Sequence, residues 1–142
     1  MRALIDPGNL FSTLISEELA SKLNLQVQGR HRRVGTAEAG GEVVILGQAK
    51  GLRIVLEGGL EPIVIDPHVV RRLAHPLNLG QDFLRQHGCK MEFSDQNVSL
   101  MIGLDYSVTE VCSMTGENKL VLTVDNTKLG LLTILKLTTT LM

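Results

Sequence analysis

Ala3-Leu4-Ile5-Asp6-Pro7-Gly8 is a short apolar run that ends in an acid, a proline and a glycine. Read by itself it is a buried strand over Ala3 to Ile5 running into a turn, because Pro presets φ and Gly tolerates positive φ. Far along the chain, Leu77-Asn78-Leu79-Gly80-Gln81-Asp82-Phe83-Leu84 has a related form. It is a buried strand ending in glycine, followed by a short helix from Gln81 to His87 that Gly88 stops. The two blocks together decide the reading, since either one alone is ordinary turn chemistry.

Between them the pattern is mainly that of strands. Ser16 followed by Glu17 and Glu18 marks a helix start, with Ser16 as N-cap and acids in the first turn. Ile15, Leu19 and Leu23 form one face of that short helix. From Leu25 the period changes to two. Val34 opens a strand, Ala37 to Gly41 supplies a small flexible hairpin tip, and Glu42 to Leu46 returns as the partner. Leu52 to Leu56, closed by Gly58-Gly59, and Pro62 to Ile65 are further strands, and Asp66 to Pro76 is less regular. Cys89 to Phe93 alternates as a half-buried strand, turns at Ser94 to Asn97 and continues in Val98 to Met101. Lys119 to Val124 reads as one more strand, and the other residues after Gly103 show no clear period.

The totals narrow the function. The 142 residues suffice for one domain with a real core. With 14 basic against 15 acidic residues the net charge is −1, so no global electrostatic pull toward nucleic acid or an anionic membrane follows. Trp is absent and aromatics are 3%, so the core is aliphatic and base stacking on aromatic side chains has little to work with. Cys89 and Cys112 make no disulfide framework and suit a reducing compartment. The opening residues are not a signal peptide, because an acid and a proline interrupt the apolar run at once. The apolar, Thr-rich segment from Leu129 to Met142 is too short to span a membrane and carries Lys136. These features predict a soluble, intracellular protein, cytoplasmic, with no membrane partner.

Other chemistries find little footing. His31, His68, His75 and His87 show no zinc spacing with the cysteines and read as surface or turn residues. There is no Gly-x-Ser-x-Gly, and Gly35 to Gly41 lacks the Gly-Lys-Ser/Thr ending of a phosphate loop. Arg30-His31-Arg32-Arg33 reads as a solvated strand entrance, given the neutral total. Asn97-Val98-Ser99 matches a glycosylation acceptor, but nothing indicates secretion.

Ala3-Leu4-Ile5-Asp6-x-Gly8, the Ser12 to Leu25 segment, the hairpin tipped by Ala39, Gly40 and Gly41, and the Leu77 to Leu84 block resemble, in that order, the retropepsin-like aspartic proteases. The nearest likeness is to the protease domain of gypsy-type retrotransposon and retroviral polyproteins. Gln86 to Phe93 also resembles the helix end and closing strand of that family. The resemblance covers roughly residues 3 to 101 and implies a mainly β protein, a small closed β-barrel with one or two short helices. The implied organisation is a protease domain over 1–103 and a C-terminal extension of unknown role over 104–142.

The resemblance also assigns roles. Peptide hydrolysis without metal, cofactor or covalent nucleophile needs a water held between two carboxyl groups that share one proton. The chain has a single Asp-x-Gly, so Asp6 must meet Asp6 of a second copy across a two-fold axis, and a homodimer acting on a polypeptide is implied. Pro7 and Gly8 complete the active-site loop, with Gly8 allowing close backbone approach. Leu79 and Gly80 buttress that loop, and Ala39, Gly40 and Gly41 form the flap over the substrate.

Two departures from the family's pattern support a second expectation. Pro7 stands where the family has Thr or Ser, whose hydroxyl and backbone N–H exchange hydrogen bonds with the other subunit. The five residues before Asp6 are also fewer than the family's N-terminal arm. The alternative is a non-catalytic retropepsin-like binding or dimerisation module, or the remnant of a retroelement.

Overall fold

In the computed structural model, which describes residues 2–35, 40–56, 63–93, 97–102, 106–111, 118–128 and 131–141, the two blocks lie side by side. Strand β1 (Arg2–Ile5) and strand β2 (Leu14–Ser16) follow one another in the chain but do not pair. The strand of the second block runs between them, parallel to β1 and antiparallel to β2. The register sets Ile5 against Leu79 and Ile15 against Leu77. The connection from Asp6 to Thr13 therefore wraps around the end of that strand.

Helix α1 (Glu17–Lys22) begins as the sequence predicts, with the Ser16 hydroxyl accepting the Leu19 N–H at 3.1 Å. Ile15, Leu19 and Leu23 are all buried in the core. Next come β3 (Gln26–Gln28), the antiparallel pair β4 (Arg32–Gly35) and β5 (Glu42–Ile45), then β6 (Gly47–Lys50), β7 (Leu52–Leu56), β8 (Ile63–Ile65) and β9 (His68–Val70). The second block supplies β10 (Leu77–Leu79) and helix α2 (Gln81–Gln86), and β11 (Lys90–Phe93) and β12 (Asn97–Ile102) follow as the expected hairpin. The later part of the chain adds β13 (Tyr106–Val111), β14 (Asn118–Lys128) and β15 (Leu131–Leu141).

The described residues are mainly β with two short helices, as the sequence implies. Its main sheet has ten strands in the order β3-β6-β9-β2-β10-β1-β14-β15-β7-β8, and β11-β12-β13 and β4-β5 form two smaller sheets. The core is aliphatic around Phe83: Ala3, Ile15, Leu52, Ile54, Leu77, Leu79 and Leu100 lose all contact with solvent. Burying these side chains is the main driving force for packing α1 against β2 and β9 and α2 against β10.

Several strands differ from the sequence reading, β13 and β15 among them, which fall where the sequence shows no clear period. In β6 the buried positions are Gly47 and Ala49, alternating with Gln48 and Lys50, and residues this small leave no apolar signature. In β9, Val69 and Val70 are buried, but the strand is three residues long and follows Pro67, so it reads as irregular. β14 extends on both sides of the expected Lys119 to Val124, pairs antiparallel with β1 (Leu4 against Val121) and carries β15 on its other edge. The turn predicted at Gly58-Gly59 and the tip residues Ala37, Glu38 and Ala39 lie outside the described residues.

Candidate active site

Asp6 stands at the end of β1, where its backbone N–H donates to the Leu79 carbonyl at 2.9 Å. This continues the parallel β1–β10 ladder by one bond and fixes the direction in which the chain leaves the sheet. Pro7 and Gly8 then form an exposed turn, closed by the Asn9 N–H on the Asp6 carbonyl at 3.1 Å. The Gly8 N–H also donates to Asp6 Oδ1 at 3.1 Å, and a Cβ at Gly8 would lie 3.3 Å from that same oxygen. The glycine lets the backbone close on the carboxyl.

Gly80 has an equally local reason. A Cβ there would lie 3.1 Å from both the carbonyl oxygen and Nδ2 of Asn9. The Asp6 loop thus packs directly on the backbone at the β10–α2 junction. Gly80 N–H donates to Thr13 Oγ1 at 3.1 Å and Gln81 N–H to the Asn9 carbonyl at 2.9 Å, which ties both ends of the loop to the start of α2. Leu79 is fully buried beneath it. Asp6, Gly8, Leu79 and Gly80 are therefore brought together.

Four residues that the sequence reading passes over complete the loop. Asn78 Nδ2 donates to Asp6 Oδ2 at 3.1 Å, and Asn9 Nδ2 donates to Asn78 Oδ1 at 3.1 Å. Gln81 Nε2 donates to the Pro7 carbonyl at 2.7 Å. Asp82, on the first turn of α2, accepts from the N–H and hydroxyl of the buried Thr13. A signal for Asn78 exists in the sequence: it is the lone polar residue of Leu-Asn-Leu, so strand alternation turns it away from the core.

The half-buried Asp6 opens into a cavity of about 530 Å³. Phe11 and Leu14 line it on one side, and Val34, Gly35, Val43 and Ile45 of the β4–β5 hairpin supply another wall. Among the described residues, the hairpin expected to carry the flap meets the cavity through its stem. Gly40, at φ +73°, and Gly41 are described but are not among the cavity's lining residues, and Ala39 lies outside the described residues. A carboxyl in a cleft with apolar walls can hold a water and receive an extended peptide.

Beside the loop, His68 joins β9 to β4. Arg32 donates to its Nε2 at 3.1 Å, so neutral His68 carries its proton on Nδ1 and donates to Ser12 Oγ at 2.7 Å, while Ser12 donates to the Thr13 carbonyl at 3.0 Å. With its Nδ1 already protonated, His68 cannot take the Ser12 proton, and the pair is not a nucleophile with its base. Burial, then the Arg32 charge, lowers the His68 pKa, with Lys50 acting the same way and Asp82 opposing. Burial also pushes the Cys89 thiol up to about 11, which keeps it protonated at neutral pH and removes it as a nucleophile.

Among the described residues no cluster of three or more His, Cys, Asp or Glu could hold a metal ion, and no helix is long and apolar enough to cross a membrane. No protein-family model matches the chain, and no curated protein matches it.

Proposed function

We propose that the chain is an aspartic endopeptidase of the retropepsin type, derived from a retroelement polyprotein and acting as a homodimer on polypeptide substrates. The observation that carries this reading is the Asp6 loop itself. One carboxyl, held by Gly8 N–H and Asn78, opens into a cleft walled by a β-hairpin, and its loop is seated on Leu79-Gly80. In the proposed dimer the two Asp6 side chains share one proton, one taking a proton from water while the other protonates the substrate carbonyl. The apolar cavity walls receive the side chains flanking the scissile bond. The small closed barrel of the family, the 1–103 protease domain, the roles of Gly40 and Gly41 at a flap tip and an intracellular site of action belong to the same proposal.

Incubating the protein with an unfolded polypeptide and reading the fragments by mass spectrometry tests it. Cleavage is expected in the unmodified protein and absent in Asp6→Asn, because a pair without an ionisable carboxyl has no base. Equal cleavage by Asp6→Asn would exclude the mechanism.

Pro7 favours one other reading, a retropepsin-like dimerisation or binding module without turnover. Pro offers neither the hydroxyl nor the N–H that holds the family's two loops together. Peptide binding in the cleft without cleavage, in a folded dimer, would select it.

A further inference from the structure

We propose that Asn78 is the positioning residue for the Asp6 carboxyl, with Asn9 setting the orientation of Asn78, so that the active loop is fixed within one chain. Asn9 Oδ1 accepts two backbone N–H groups, from Phe11 at 3.1 Å and Ser12 at 3.3 Å. Backbone N–H groups can only donate, so that end of the Asn9 amide must be the oxygen. Its Nδ2 is then obliged to donate, to the Ser12 carbonyl at 2.6 Å and to Asn78 Oδ1 at 3.1 Å. With its oxygen occupied, Asn78 turns its own Nδ2 to Asp6 Oδ2 at 3.1 Å. The direction of every bond in this relay follows from the two backbone donors at its start.

Strand geometry explains why this position is available. Leu77 and Leu79 are fully buried, and Asn78 between them faces the opposite side, where it lines the cavity beside Asp6. A leucine at this position suits a strand but would leave Asp6 Oδ2 without its donor. Gln81 supplies a second hold within the same chain by donating to the Pro7 carbonyl at 2.7 Å. Pro7 has lost the groups that would grip a partner subunit, and these amides hold the loop before any partner arrives. As a statement about catalysis, this rests on the reading of Asp6 as the reacting carboxyl.

Two experiments on the full chain test it. In the ¹H–¹⁵N side-chain amide spectrum, one Asn78 Hδ2 proton is expected downfield of ordinary asparagine amides and slow to exchange. Asp6→Ala should return it to the ordinary position, with the backbone spectrum of the sheet unchanged. An Asn78 amide signal indifferent to Asp6→Ala overturns the proposal. In peptide hydrolysis, Asn78→Leu should lower kcat about ten- to a hundredfold at unchanged KM, the effect of a misoriented reacting group rather than of a damaged binding cleft. Unchanged kcat also overturns it. If the amide signal couples to Asp6 in a protein that cleaves nothing, the positioning stands and the peptidase reading fails.

Discussion

Asp82 holds Thr13 by both of its polar groups: the Thr13 N–H lies 2.9 Å from each carboxylate oxygen, and the Thr13 hydroxyl donates to Oδ1 at 2.8 Å. Thr13 is buried at 2% exposure, and its Oγ1 also accepts the Gly80 N–H. This clasp closes the Asp6 loop onto α2. Asp82→Ala leaves two buried donors on Thr13 without their acceptor, which costs about 1–3 kcal/mol. Urea denaturation should show a lower midpoint at unchanged m-value. Because both groups act through one contact, Thr13→Val and Asp82→Ala should be strongly non-additive in a double-mutant cycle.

Gly80→Ala should destabilise by about 1–3 kcal/mol, as expected when an added methyl meets atoms that cannot move aside. Its Cβ would sit 3.1 Å from Asn9, and Asn9 is pinned by side-chain and backbone bonds to Phe11, Ser12, Asn78 and Gln81. Gly35→Ala is the control: a Cβ there meets nothing within 4 Å, and its thermal midpoint should not fall.

Stability should decline as the pH falls below the ordinary histidine value of 6.5. His68 is lowered from that value in the fold by burial and by Arg32, so in this window the unfolded chain binds the proton first. The contribution is complete above 6.5 and is lost toward the lowered folded value. His87, also lowered by burial, acts in the same direction. Melting curves at pH 7.5 and pH 5 should converge partly in His68→Gln and further in His68→Gln/His87→Gln. An undiminished pH dependence in the double variant contradicts this assignment.

The sequence made the site's frame legible because its signals are local. Asp6-Pro7-Gly8, the Ser16 cap and Leu79-Gly80 each answer a local need, a tight turn, a helix N-terminus or a close approach, and that need shows in the residue type. The clasps within the loop were not legible. Asn9 and Gln81 are common polar residues, and Asn78 signals only that it faces away from the core; their partners appear only when β10 enters between β1 and β2, a long-range event without a local signature. β6 hid for the opposite reason, since its buried face is Gly47 and Ala49 and carries almost no hydrophobic signal.

Pro7→Thr should strengthen dimerisation. The resemblance gives each subunit's central residue about two hydrogen bonds across the axis, so a dimer with Pro at both positions lacks about four, roughly 2–6 kcal/mol at ~0.5–1.5 kcal/mol each. That range corresponds to about ten- to ten-thousand-fold in dissociation constant. The unmodified protein should sediment largely as a monomer at low concentration, and Pro7→Thr should raise both the dimer fraction and the cleavage rate. An unchanged dimer fraction would show that the lost groups at Pro7 do not govern association.

The proposed sharing of a proton by two Asp6 carboxyls is tested most directly by the dependence of cleavage rate on protein concentration, read against an Asp6→Asn baseline. If two chains each contribute one carboxyl, the initial rate below the dissociation constant rises as the square of concentration, and Asp6→Asn stays at background throughout. A rate linear in concentration down to the lowest level at which monomer is seen by sedimentation would contradict the pair and return the site to a single chain.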